Sequence, residues 1–254
     1  MKRFLGYGLL GLLTFLLFLL LLAPAGLVLD LLDERLPDLD VQAVDGTAIK
    51  GSAWGVNWRD TPVRRLNWDW QPFALLGGWL EFKLDVDDPE AKLIGNAAIG
   101  WGNRLRFRDF SGRLLLVKLS TLAGQPKSPL QGVVEFSLRE LSLNADGLPQ
   151  SAYGVVYLLN LRAMLSQELN LGDFVAQLSP ATAGVGIQGM VKDNNAPLEL
   201  EGTLNVSPDG RYRFSGSAAV RDAGNQALRQ ALNLLGPPGG DGRWKLDFSG
   251  ILAR

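Results

Sequence analysis

From Val41 onward the side chains alternate between apolar and polar with a period of two, the spacing that turns one face of an extended strand toward a core and the other toward water. Leu66, Trp68 and Trp70 alternate with Arg65, Asn67 and Asp69, and Leu80, Phe82, Leu84 and Val86 with Glu81, Lys83 and Asp85. Leu198, Leu200, Leu204 and Val206 stand against Glu199, Glu201, Thr203 and Asn205, and the pattern returns in Tyr212-Arg213-Phe214-Ser215 and in Trp244–Ser249. Turn formers punctuate the runs: Asp45-Gly46, Asp87-Asp88-Pro89, Asn144–Gly147, Asn194-Asn195 and Ser207-Pro208-Asp209-Gly210, the last being the strongest hairpin signal. Connections this short join antiparallel neighbours, because a parallel pair needs a crossover of roughly a dozen residues or more.

About ten to thirteen strands follow from this reading, more than a flat sheet carries before it curls or closes. The expected fold is mainly β: one N-terminal transmembrane helix, then a strongly curled antiparallel sheet, an incomplete barrel or sandwich, with one or two short helices. Gly224–Gly236 predicts one of these, since Leu228, Ala231, Leu232 and Leu235 form an apolar stripe, Gly236 suits the C-terminal cap and Pro237-Pro238 blocks continuation. A shorter helix is expected near Leu161–Glu168, and a turn of helix near Pro72–Leu76.

Phe4–Leu29 carries no charge, and its 26 residues, at about 1.5 Å each, exceed the roughly 30 Å of a bilayer core. Lys2 and Arg3 precede it and Asp30, Asp33 and Glu34 follow, so the positive-inside bias keeps the N-terminus in the cytoplasm. This predicts a single-pass inner-membrane protein, with residues 1–29 as cytoplasmic tip and anchor and residues 30–254 as a periplasmic β-rich domain. The alternative is a signal peptide cleaved at Ala23-Pro24-Ala25; the apolar stretch before Ala23, about 19 residues, exceeds the roughly 7–15 of a usual signal h-region.

The chain has no histidine and no cysteine. That removes the imidazole base, the thiolate nucleophile and the soft metal ligands, and leaves no expected cofactor or metal site and no expected enzymatic activity. A net charge of −1 gives no field to hold nucleic acid. Asp85, Asp87, Asp88 and Glu90 are the tightest carboxylate group, but lack the spacing and glycine of a calcium loop and are expected as a solvated turn. Glu199 and Glu201 lie two apart on one polar strand face, with nothing around them to raise a pKa for glycoside chemistry. Arg104, Arg106 and Arg108 line one strand face as a basic contact stripe, suited to anionic headgroups or an acidic partner.

Specific residues then carry a resemblance. Val44-Asp45-Gly46-Thr47 precedes Gly51-Ser52-Ala53-Trp54; Leu66-Asn67-Trp68-Asp69-Trp70-Gln71-Pro72 precedes Leu75-Leu76-Gly77; and Leu234-Leu235-Gly236 precedes Asp241–Gly250. In this order, behind an apolar N-terminal run, they resemble the type II secretion system protein N (general secretion pathway protein N) family. The resemblance implies an inner-membrane accessory protein of the machinery that carries folded proteins across the Gram-negative outer membrane. Its partners would be other components of that machinery, the inner-membrane platform or secretin-linked subunits, and the membrane; it leaves the oligomeric state open. Gly46, Thr47, Gly51, Trp68, Trp70, Pro72, Gly236, Gly242 and Gly250 are the motif positions and candidate interaction residues. Read from residue chemistry alone, Trp68 and Trp70 point inward together as core, with a partner or ligand groove as the competing reading. A second function also stands open: a curled sheet with one apolar face makes a trough for carrying lipid or another hydrophobic molecule, and closed or open apolar faces separate the two.

Overall fold

The computed structural model describes residues 39–58, 61–122, 128–165, 167–181 and 186–252, together with Tyr7, Gly11, Phe15 and Leu22–Gly26. Thirteen strands form one antiparallel sheet in which each pairs with its neighbours in sequence. They are β1 (Leu39–Gly46), β2 (Lys50–Trp58), β3 (Thr61–Trp70), β4 (Trp79–Asp88), β5 (Ala91–Gly100), β6 (Leu105–Leu115), β7 (Leu130–Leu143), β8 (Pro149–Met164), β9 (Glu168–Pro180), β10 (Ile187–Asp193), β11 (Leu198–Val206), β12 (Arg211–Val220) and β13 (Trp244–Ile251). The sheet is not closed, since β1 and β13 stand at opposite edges of this order.

Register follows the alternation. Trp68 lies opposite Gly51 and Leu84, Leu66 opposite Ala53 and Val86, and Trp70 opposite Phe82. Phe214 lies opposite Leu204 and Phe248. One apolar face therefore runs along the sheet, and Glu81, Lys83, Asp85 and the arginines of β6 occupy the other. The Ser207–Gly210 hairpin forms as expected, closed by Gly210 N–H donating to Ser207 O at 2.9 Å and Ser207 N–H donating to Arg211 O at 2.8 Å.

The meander gives the sheet two ends. The proximal end holds the β1–β2 turn, where Pro24 bridges to Thr47 and Ala48 N–H donates to Ala23 O at 2.9 Å. A 3-10 helix, Pro72–Gly77, follows β3 there, with Gly78 at φ 76° stopping it. The distal end holds α1 (Leu116–Leu122) after β6 and α2 (Gln226–Asn233) before β13. α2 lies within the expected Gly224–Gly236 helix; Asn225 caps it by accepting the Leu228 N–H at 3.1 Å. Its Leu232 packs with Ala218, Trp244 and Leu246, and Leu228 is buried.

The short helix expected near Leu161–Glu168 is not formed. β8 runs through to Met164 and β9 starts at Glu168, with Leu161, Ala163 and Leu169 all buried. Strand pairing wins because bulges keep these apolar residues on the inner face: the β8–β9 register shifts between Leu158 and Leu161, and Asn160 takes φ 51°.

α1 crosses the inner face at the distal end. Leu116 packs on the cluster of Ala91, Leu114 and Val134 and on that of Leu161, Phe174 and Ala196. Lys118 donates to Pro62 O and to Asp88 Oδ1, both at 3.1 Å, and pairs with Glu90 at 3.2 Å. Asp88 also accepts the Arg64 and Glu90 N–H groups at 3.0 Å each. Its side chain is only 10% exposed, so the expected solvated turn is wrong at Asp88, which is a staple among β3, β4 and α1. Burial pushes its pKa up, but the Glu90 N–H, the Lys118 ammonium and the Arg64 N–H outweigh that and hold it below the ordinary carboxylate value.

Among the described residues no helix is long and apolar enough to cross a membrane, and most of the Phe4–Leu29 run lies outside those residues.

Candidate functional site

The structure gathers six of the motif residues at the proximal end. Gly46 has φ 95°, and a Cβ there would meet Lys50 O at 2.5 Å. Thr47 Oγ1 accepts the Lys50 N–H at 3.2 Å, closing the β1–β2 turn. The Trp68 indole N–H donates to Thr47 O at 3.1 Å, while its ring lies where a Cβ on Gly51 would meet Cζ2 at 2.5 Å. Trp70 N–H donates to Ile49 O at 2.7 Å, and Pro72 opens the 3-10 helix. Trp68 and Trp70 share a face with Leu66 but are half-buried rather than core, and the buried Trp70 Nε1 has no hydrogen-bond partner. The other three lie apart. Gly236, at φ 130°, receives the Trp244 indole N–H on its carbonyl at 3.1 Å; Gly242 turns the chain into β13; Gly250 packs on the Tyr212 ring.

The arginine stripe is partly neutralised by a residue the sequence reading did not connect to it. Glu81 of β4 is 2% exposed, and Arg108 donates to both its oxygens at 2.6 Å. Arg106 approaches the same carboxylate at 3.7 Å and lies over the Trp79 ring, 4.0 Å from its centroid. Ala98, small and buried, separates β4 from β6 on this face and lets the charges meet. A buried carboxylate needs such partners, because an unpaired one costs several kcal/mol, roughly. Arg106 Nε remains buried and without a partner, and Arg104 is exposed with its Nε donating to Trp101 O at 3.3 Å. A pocket of about 440 Å³ opens between the 3-10 helix and this face, lined by Gln71, Phe73, Trp79, Glu81, Arg106 and Arg108.

On the inner face, a second cavity of about 280 Å³ is lined by apolar side chains alone, among them Phe107, Phe110, Phe136, Leu138, Leu141 and Val156, with Leu119 of α1 at the distal side. Phe110 stacks on Phe136 with ring centroids 5.7 Å apart. The sequence pattern allowed for such a trough but not for these lining residues, because Asp109, at φ 47°, displaces Phe110 from strict alternation with Phe107. The other candidate chemistry is committed to ion pairs: Glu199 pairs with Arg221 at 3.4 Å and Arg243 at 3.3 Å, and Glu201 with Lys192 at 3.1 Å.

The family model described as type II secretion system (T2SS), protein N, matches residues 37–247. A Klebsiella pneumoniae protein named type II secretion system protein N is 31% identical over 230 residues, covering 88% of this chain and 86% of its own. Proteins of the same name from Vibrio cholerae and Aeromonas hydrophila are 26% identical over 256 residues and 24% over 237, covering 99% and 92% of this chain and 100% and 92% of their own. No solved structure matches the chain.

Proposed function

The chain belongs to the type II secretion system protein N family, and from that premise we propose that it is an accessory subunit of the type II secretion machinery that acts by protein contact rather than by chemistry on a substrate. It sits on the inner membrane through Phe4–Leu29 and presents the sheet to the periplasm, where platform or secretin-linked subunits meet it. The observation that carries this reading is the family match over residues 37–247, which takes in almost the whole sheet. The absence of histidine and cysteine from the sequence supports the non-enzymatic part.

Photo-crosslinkers placed at the exposed outer-face residues Tyr153 and Met190, in cells secreting a reporter exoprotein, test it. Crosslinks to another component of the machinery, together with reduced export when the chain is deleted, are the expected result. Normal export on deletion with no such crosslink would overturn it.

The apolar trough favours a second reading, carriage of an acyl chain or similar molecule. Ligand sites are largely apolar clefts of about 300–1,000 Å³, and this one, at about 280 Å³, fits a segment of such a chain. Purified protein should then carry an extractable lipid, and Val156→Trp, which fills the trough, should lose it without losing secondary structure. Lipid-free wild-type protein would remove this reading.

A further inference from the structure

We infer that the proximal end, where the β3–β4 and β5–β6 connections lie side by side, is a bilayer-contact surface that inserts Phe73, Leu76 and Trp101 at the interface and sets Arg104 and Arg106 against anionic lipid headgroups. Phe73, Leu76 and Trp101 are 85%, 89% and 82% exposed, which is costly for side chains facing only water, since each large apolar group gains free energy on leaving it. They form one tip. Trp101 Nε1 lies 3.0 Å from where a Cβ on Gly78 would be, so the β5–β6 turn rests on the end of the 3-10 helix. The arginines flank that tip, with Arg104 held to the Trp101 carbonyl and Arg106 over Trp79.

Charge fits the same occupant. Glu81 neutralises one arginine, most directly Arg108, and the exposed Glu140 stands opposite Arg108 on β7. Counting all five groups leaves a net positive charge beside an apolar tip. The Arg106 guanidinium lines the 440 Å³ pocket, where it makes only a 3.7 Å approach to Glu81 beside its contact with the Trp79 ring, so a phosphate drawn into the pocket meets a cation that Glu81 holds less tightly than Arg108. Aromatic and aliphatic groups mixed with arginine are a composition that settles at a membrane interface.

Position is the independent argument. Ala23 and Pro24, within the uncharged N-terminal run, reach this same end, with Ala23 accepting the Ala48 N–H and Pro24 bridging to Thr47. A run that spans a bilayer would bring the tip down onto the surface it leaves. The inference rests on the proposed anchoring for this geometry.

The chain has no cysteine, so a single introduced thiol carries a unique spin label. Full-length Leu76→Cys, and Leu234→Cys at the distal end as a control, are labelled and reconstituted in vesicles of phosphatidylcholine, with and without phosphatidylglycerol. Flotation reports anchoring, while collision with oxygen or a water-soluble nickel chelate reports where the label sits. The expected result is flotation throughout, loss of nickel contact at position 76 in the anionic vesicles, and none at 234. Arg104→Gln should weaken the effect roughly fivefold, the worth of one cation near an anionic surface, and Arg104→Glu should abolish it with unchanged circular dichroism. A label at 76 that stays aqueous in floating vesicles, or is shielded only when other secretion proteins are present, overturns the inference and leaves anchoring intact. Protein that fails to float overturns both.

Discussion

β10–β13 and β1–β4 are both stretches of antiparallel meander with aromatic and aliphatic side chains on one face. In the first, Ala218, Leu232, Trp244 and Leu246 form a buried cluster with Leu198, Leu200, Phe214 and Val220 packed on it. In the second, Trp68, Trp70, Phe82 and Leu84 are only half-buried, and the buried positions among β1–β4 are Ala53, Val56, Thr61 and Glu81. The difference is α2. Period two decides which face of a strand is apolar, but a separate element must cover that face, and the β12–β13 connection supplies an amphipathic helix that does so. The β3–β4 connection supplies only a 3-10 turn, which bends toward the charged outer face beside Arg106 and Arg108.

The sharpest way to break this comparison is Trp244→Ala, which should cost about 3–5 kcal/mol, a large share of the roughly 5–15 kcal/mol stability of a domain. Denaturant unfolding of the purified protein measures it, and a small loss would mean that α2 covers little. Next comes the distal staple. Lys118→Met leaves the buried Asp88 carboxylate without its cation and should cost about 1–3 kcal/mol.

The staple also sets an acid response. Because the folded Asp88 pKa lies below its ordinary 3.8, the group's contribution is fully present above that value and is lost as pH falls through the lower folded value. Asp88→Asn should therefore lower stability at neutral pH and flatten the decline below about pH 4; equal acid slopes for the variant and the parent would count against the staple.

Trp68→Ala should cost less than Trp244→Ala, about 1–2 kcal/mol, since only part of its area is buried and one hydrogen bond to Thr47 is lost. Equal melting penalties for the two tryptophans would erase the contrast between the halves. Lys50→Ala breaks the Lys50–Asp69 pair, whose side chains are 75% and 46% exposed, and should change stability by less than about 1 kcal/mol.

The strand pattern was readable because alternation and turn residues are local signals, and α2 because its stripe, cap and prolines sit within the fifteen residues 224–238. α1 was not readable. Its seven residues, LVKLSTL, continue the apolar Leu114-Leu115 of β6, with no acidic residue in the first turn. The Arg104, Arg106 and Arg108 stripe was visible as spacing, but its meaning depends on Glu81, 27 residues before Arg108 and two strands away. The proximal cluster of Gly46, Thr47, Gly51 and Trp68 was visible as residues but not as a contact, since the Thr47–Trp68 bond spans 21 positions. Where a bulge resets the alternation, as at Asp109 and Asn160, the inner face can no longer be counted off residue by residue.

Strict neighbour-to-neighbour pairing carries a consequence for how the chain comes to be folded. Each hairpin needs only the one before it as a template, so sequence separation between pairing partners stays short for a sheet this wide. A polypeptide threaded across a membrane from its N-terminus could lay down these strands in the order of their arrival, each new edge protected by the next, without waiting for the last residues to emerge.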